Sequence, residues 1–424
     1  MEWTELEKYL IETRRDIHKH AEQGWTEFRT TSIVADTLSE LGFEVKLGKD
    51  IIAEDFVLGR PEDVNPYIER ALSQGAKRKW IDLMGGFTGA VGILSTGKPG
   101  PTVAFRFDMD ALPLSETEMP VHRPFREGFI SVNKGSSHSC GHDANTANGL
   151  GLSKVLSAEK AGLRGRFKLI FQPAEEGVRG ARAIVEKGVL DDVDYFVATH
   201  LGLGNPTGKI STGAHGWLCS TKCDVLYKGK PAHAGACPNE GNNALLAAAT
   251  AVLNLHAIAP HKAGISRINV GVLDAGSGRN VVPAAAKIIM ETRGATDEVA
   301  AYMNERAEKI LLTSADMYGV KCNIRKVGEA QTAVSDLDFS GHIAGAISGI
   351  DGVEEVENDT LTTGSDDATW MMKRVQSHGG KATYITIGSD LVAPHHDPSF
   401  DIDESVLLPT VKILKKIAFG LCRQ

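Results

Sequence analysis

Cys140-Gly141-His142-Asp143 places a thiol and an imidazole two residues apart on a glycine-containing turn, where both can face one point. Farther along stand Glu175-Glu176 after one apolar run, His200 closing another, and His396 near the C-terminus. Thiolate, imidazole and carboxylate together suit zinc or manganese better than the oxygen-seeking calcium and magnesium. The chemistry this mixture serves is hydrolysis. A divalent ion lowers the pKa of coordinated water toward about 7, and of two adjacent glutamates one can bind metal while the other takes a proton and returns it to a leaving amine. The same pair also reads as acids at the N-terminus of a helix over Ala181 to Val189, where the dipole favours negative charge. Asp108 and Asp110 follow a third apolar run and could ligate metal directly or form an acidic turn without function, but Asp110 better suits a place behind a metal ligand, orienting it. A metal-free alternative makes Cys140 a nucleophile beside a histidine. That alternative leaves Glu176, His200 and His396 without a role.

The elements that must position these residues are short apolar runs that end in chemistry-bearing residues. Val103 to Phe107 leads into Asp108-Met109-Asp110, Phe167 to Phe171 into Gln172-Pro173-Ala174-Glu175-Glu176, Tyr195 to Thr199 into His200, and Tyr384 to Ile387 toward His395-His396. In open α/β sheets ligands bind beyond the carboxyl ends of strands, so four such endings predict one shared crevice. Leu6, Leu10 and Ile17, then Ile33, Leu38 and Leu41, predict two amphipathic helices stopped by Gly42. Residues 49–86 read as a helical excursion before the Gly85-Gly86 turn. Between about 219 and 328 the succession becomes β-α-β-β-α-β, the ferredoxin-like unit. Candidate ligands flank it on both sides, so it is expected as an insertion. It carries its own polar set, His233, Asn280 and Arg293. An arginine can grip a carboxylate in bidentate fashion, although Arg293 could also pair with Glu291 or Asp297 and Asn280 could be a turn residue.

At 424 residues, 42% hydrophobic and 24% charged, the chain is long enough for two or three domains of typical size. Its net charge of −8 is spread without a basic run, which argues against nucleic acid or an anionic membrane surface as partner. A start lacking the signal-peptide pattern and six irregularly spaced cysteines predict a cytoplasmic protein with reduced thiols. Cys219 and Cys223 have no second close pair to complete a zinc ribbon.

The chain resembles the metal-dependent aminoacylase and carboxypeptidase superfamily, in its branch of N-acyl amino acid amidohydrolases. The resemblance is carried, in family order and over nearly the whole length, by six segments: Asp108 to Pro113, Ser139 to Asp143, Gln172 to Gly177, Pro231 to Gly235, Asn280 to Pro283 and His396 to Asp401. It implies an α/β, exopeptidase-like catalytic domain, a mixed sheet flanked by helices, from residues 1–218 and 329–424. Residues 219–328 would form an inserted ferredoxin-like lid and dimerisation domain. Cys140, His142, Glu176, His200 and His396 would hold two divalent ions, Mn2+ or Zn2+, with Glu175 as general acid/base and Asp110 behind the metals. The family spacing His-x-Pro-x-Phe selects His396 over His395. His233 would stabilise the oxyanion from a neighbouring subunit, and Asn280 and Arg293 would hold a free carboxylate. Residues 49–86, Gly241 to Ala249 with Leu255 to His261, and Gly276 to Asn280 sharpen the likeness toward enzymes acting on p-aminobenzoyl-glutamate. Another N-acyl amino acid or a dipeptide is the rival substrate, and a non-catalytic binding homologue the rival class. The implied assembly is a homodimer, or a heteromer with a homologous B subunit. Two positions depart from the family pattern. Asn145 stands where relatives carry histidine, and Asp366 where they carry glutamate.

Overall fold

The apolar spacing of the first forty residues folds as two helices, Trp3–Lys19 and Phe28–Glu40. Leu6, Leu10, Ile17, Val34 and Leu38 are buried on their inner faces, and Gly42 takes a left-handed φ of 79° just past the second helix. The computed structural model describes residues 2–423. By its contacts the chain divides into two compact units: residues up to His215 with Ala333–Thr362 and Asp367 onward, and Gly216–Thr332 with Thr363–Asp366.

The first unit is built on an eight-stranded mixed sheet. Across it run Glu44–Leu47, Ala90–Ser95, Arg166–Gln172, Thr102–Asp108, Tyr195–Leu201, Lys381–Ile387, Lys209–Ser211 and Glu355–Glu357. Its centre is parallel: Thr102–Asp108 lies parallel to Arg166–Gln172 and to Tyr195–Leu201, which in turn lies parallel to Lys381–Ile387. Every residue of Thr102–Asp108 is buried, as expected for a parallel strand covered on both faces. Helix His142–Glu159 packs on this strand and against helices Trp3–Lys19 and Leu407–Cys422. Ala181–Glu186 packs with Ala368–Ser377, which lies on the Lys381–Ile387 strand.

Two details differ from the sequence reading, and a third fills it in. His200 does not close its strand, which continues through Leu201. The helix after Glu175-Glu176 begins at Ala181 as read but ends at Glu186 rather than Val189, with no acid in its first turn, so the two glutamates are turn residues rather than helix-dipole partners. Residues 49–86 fold as two short 3-10 turns and the helices Asn65–Ser73 and Arg78–Met84, the last closed by Gly85 at φ 55°.

The second unit follows the order strand Cys219–Lys228, helix Ala244–His256, strands Ser266–Ala275 and Ala285–Gly294, helix Asp297–Met317, strand Lys321–Ala330. The four strands pair antiparallel, with Lys321–Ala330 and Ser266–Ala275 at the edges and Cys219–Lys228 and Ala285–Gly294 between them. One sheet face packs on the two helices through Val225, Tyr227, Ile288, Ala248, Ala251 and Leu311. Asn243 and Thr296 cap the helices with side-chain oxygens that accept from Leu246 N and Val299 N.

Candidate metal centre

Helix His142–Glu159 begins at Gly141, whose φ of 87° turns the chain sharply between Cys140 and His142. That conformation suits glycine, and it lets the two side chains converge. The His142 Nδ1–H donates to the Asp110 carbonyl at 2.9 Å. Its Nε2 is buried with no hydrogen-bond partner, 3.8 Å from Glu175 Oε2 and 3.9 Å from Asp108 Oδ2. His200 is fixed in the same sense: its Nδ1–H donates to Leu201 O at 2.8 Å, and its Nε2 lies 3.5 Å from Cys140 Sγ. Tying one ring nitrogen to a carbonyl sets the tautomer and turns the other nitrogen toward the site, the usual arrangement of a metal-ligating histidine.

The Pro173–Glu176 turn is shaped by carboxylates beneath it. The backbone N–H of Ala174 donates to Glu27, and those of Glu175 and Glu176 donate to the two oxygens of Asp110 at 3.0 and 2.9 Å. Three successive N–H groups drawn to acids hold Ala174 at a left-handed φ of 52°. The neighbouring side chains therefore part company. Glu175 reaches His142, whereas Glu176 Oε1, buried without a hydrogen-bond partner, lies 3.5 Å from His396 Nε2. His396, itself at φ 68°, is over half exposed.

Donor atoms of Cys140, His142 and His200 all lie within 4.8 Å of one another, as do those of Cys140, Glu176 and His396, and those of His142, Glu175 and Glu176. The structure thus gathers all five expected ligand residues, with Glu175 beside them and Asp110 behind. His395 is held elsewhere. Its Nε2–H donates to Leu201 O at 3.1 Å, its ring contacts His200 and Phe400, and burial followed by the charge of His200 lowers its pKa to about 4.

The electrostatics favour a cation. His142 is pushed well above its ordinary pKa: burial opposes this, but Asp108, Cys140 and Asp110 outweigh it. Burial and then Glu176 push the Cys140 thiol up. The lowered thiol pKa that a cysteine nucleophile needs is not what this acid-rich pocket provides. Unpartnered Nε2 and Oε1 atoms in a cluster rich in carboxylates fit a divalent ion.

Three features escaped the sequence reading. Glu27 lies under the turn, its acid raised to about 8 by burial and by Asp110. Asn145 donates to Asp108 Oδ1 and Thr199 O and accepts from Thr199 Oγ1, so it ties two strands together with its hydrogen bonds satisfied. Asp143 is fully buried between Arg14 Nε and His18 Nδ1, both at 2.7 Å. Only the adjacency of Asp143 to His142 hinted at this last arrangement.

His233, Asn280 and Arg293 belong to the second unit. His233 Nδ1 accepts from the N–H groups of Gly235 and Ala236, which leaves Nε2–H as the outward donor, and Ala234 N donates to Asn280 O. Arg293 lies at the other end of the Ala285–Gly294 strand, paired with Glu291 at 2.9 Å. Eight strand residues separate the two ends, on the order of 25 Å. Within one chain Asn280 and Arg293 therefore do not share a carboxylate.

Residues 104–419 match the family model described as Peptidase family M20/M25/M40. The chain belongs to this family. The M20 chain is similar to one of the subunits of p-aminobenzoyl-glutamate hydrolase from Escherichia coli, 49% identical over 97% of this chain and 95% of that one. Its identity to indole-3-acetyl-aspartic acid hydrolase of Enterobacter agglomerans is 48%, with the same coverage. The crystal structure of the aminobenzoyl-glutamate utilization protein from Klebsiella pneumoniae is 42% identical, covers 99% of this chain and 97% of that one, and superposes with a TM-score of 0.86. The M20 chain is a hydrolase of this metal-dependent family, with an α/β fold. Among its described residues no helix is long and apolar enough to cross a membrane.

Proposed function

We propose that this protein hydrolyses the amide between an aromatic acyl group and an acidic amino acid, with p-aminobenzoyl-glutamate as substrate and p-aminobenzoate and glutamate as products. The observation that carries the reading is the convergence of Cys140, His142, Glu176, His200 and His396 around two unpartnered donor atoms, with Glu175 beside them. The five residues would hold two divalent ions, Mn2+ or Zn2+, which supply Lewis-acid polarisation of the scissile carbonyl and ready deprotonation of water.

Glu175 removes a proton from the attacking water as its oxygen bonds to the carbonyl carbon. It then delivers that proton to the glutamate nitrogen as the C–N bond breaks. Asp110 holds the Glu175-Glu176 backbone in place. His233 donates Nε2–H to the developing oxyanion, and Arg293 takes the free carboxylate of the amino acid. Because His233 and Asn280 lie a strand's length from Arg293, the reading places them in the active site of a second copy, or of a homologous B subunit. The second unit is then both lid and assembly domain, and the free thiols suit the cytoplasm.

The test is release of p-aminobenzoate and glutamate by the purified, Mn2+- or Zn2+-loaded protein, compared with indole-3-acetyl-aspartate and aliphatic N-acetyl amino acids. Faster turnover of the aliphatic series would remove the aroyl assignment. Unchanged activity after chelation would remove the metal.

A further inference from the structure

In the second unit, Arg267 and Arg293 are directly opposite one another on the antiparallel strands Ser266–Ala275 and Ala285–Gly294. Opposed residues on one sheet face have Cα atoms ~5 Å apart, and like charges there are destabilising. Both arginines line a cavity of about 500 Å³ with Leu218, Asn269, Glu291 and Thr363. Glu291 is the one carboxylate among the described residues of that lining. It is already shared, hydrogen-bonded to Arg293 at 2.9 Å and to Lys222 at 3.2 Å. Arg267 makes its hydrogen bond to the neighbouring Ser266 carbonyl at 2.9 Å, and no ion pair to it occurs among the described residues. In the lining two cations thus face one acid, which Lys222 also engages.

We infer that Arg267 is a specificity-determining residue that binds the side-chain carboxylate of an acidic amino acid while Arg293 takes the α-carboxylate. The inference rests on the reading of Arg293 given above. The two carboxylates of glutamate are held apart by three carbons, a span that matches two arginines facing each other across adjacent strands. A dicarboxylate relieves the repulsion between the arginines, and a neutral side chain leaves Arg267 unpaired.

The experiment measures kcat and KM for p-aminobenzoyl-glutamate and p-aminobenzoyl-glutamine with the metal-loaded wild type, Arg267→Gln and Arg267→Lys. The wild type is expected to favour glutamate, and Arg267→Gln to raise KM for glutamate roughly 10- to 100-fold, the worth of a hydrogen bond to a charged group. Its kcat and its activity on the glutamine substrate should stay within about twofold, and Arg267→Lys should recover part of the preference. Equal losses on both substrates, or a wild type indifferent between them, would overturn the inference. If the wild type cleaves neither substrate, the functional reading fails, and titration with glutarate and butyrate decides Arg267 separately. Tighter glutarate binding that Arg267→Gln abolishes supports the role, and equal binding by both proteins removes it.

Discussion

Glu175 and Glu176 are chemically identical neighbours, and what separates the roles proposed for them is a backbone conformation. Asp110 and Glu27 take the three N–H groups of the turn, and the resulting left-handed Ala174 sends one carboxylate to His142 and the other to His396. Glu175→Ala is therefore expected to lower kcat by about 10²–10⁴-fold with metal content unchanged by elemental analysis. A variant that keeps its turnover would remove Glu175 as the proton carrier. Asp110→Asn puts an amide N–H against one of the two backbone N–H groups, so metal affinity should fall about 10- to 100-fold in competition with a chelator. The residue types of the metal cluster were legible in the sequence because few combinations of thiol, imidazole and acid serve another purpose. Glu27 was not, since nothing local marks a glutamate that acts 147 positions away.

At the scale of elements, helix Trp3–Lys19 is tied to the start of helix His142–Glu159 by buried charge. Arg14 and His18 both engage Asp143, and His18 Nε2–H donates to Glu116 at 2.9 Å. Burial and the charge of Arg14 oppose protonation of His18, yet its hydrogen bonds to Asp143 and Glu116 raise its pKa to about 9, from an ordinary 6.5. A raised histidine pKa contributes stability that is fully present below pH ~6.5 and is lost as pH rises through ~9, here about 3 kcal/mol. The melting-temperature gap between wild type and His18→Gln should accordingly narrow between these pH values. A gap constant with pH would show that the charge of His18 contributes nothing. The same helix His142–Glu159 meets the sheet at Gly149, where an added Cβ would lie 2.6 Å from Phe107 and 2.7 Å from Phe171. Gly149→Ala should cost about 1–3 kcal/mol in denaturant unfolding, by overpacking. The helices and strands themselves were readable from apolar spacing and turn residues. The extension of the strand past His200 was not, because parallel pairing with Lys381–Ile387 continues through Leu201.

Across the whole molecule, the proposed ligands come from a strand, a helix start and loops between residues 140 and 396, so metal binding would couple distant segments of the first unit. Removing the ions should lower the melting temperature, because a ligand at 100 times its dissociation constant stabilises the native state by about 2.7 kcal/mol. Scanning fluorimetry with and without chelator measures this. The strand's length between His233 and Arg293 makes a second prediction. Co-expressed Glu175→Ala and His233→Ala chains, each inactive alone, should regain roughly a quarter of wild-type activity if copies of this chain pair with two-fold symmetry. No recovery would place His233 in its own chain's chemistry or outside the reaction. Sequence alone determined the metal-suited residue set, the α/β character and the βαββαβ succession, because donor chemistry and hydrophobic period are local properties. Tertiary structure alone decided which nitrogen of His142 and of His200 is tied to a carbonyl, how two adjacent glutamates diverge, and that Arg293 faces Arg267 and lies far from Asn280. Those depend on strand register and on hydrogen bonds between residues far apart in the chain, which no local pattern encodes.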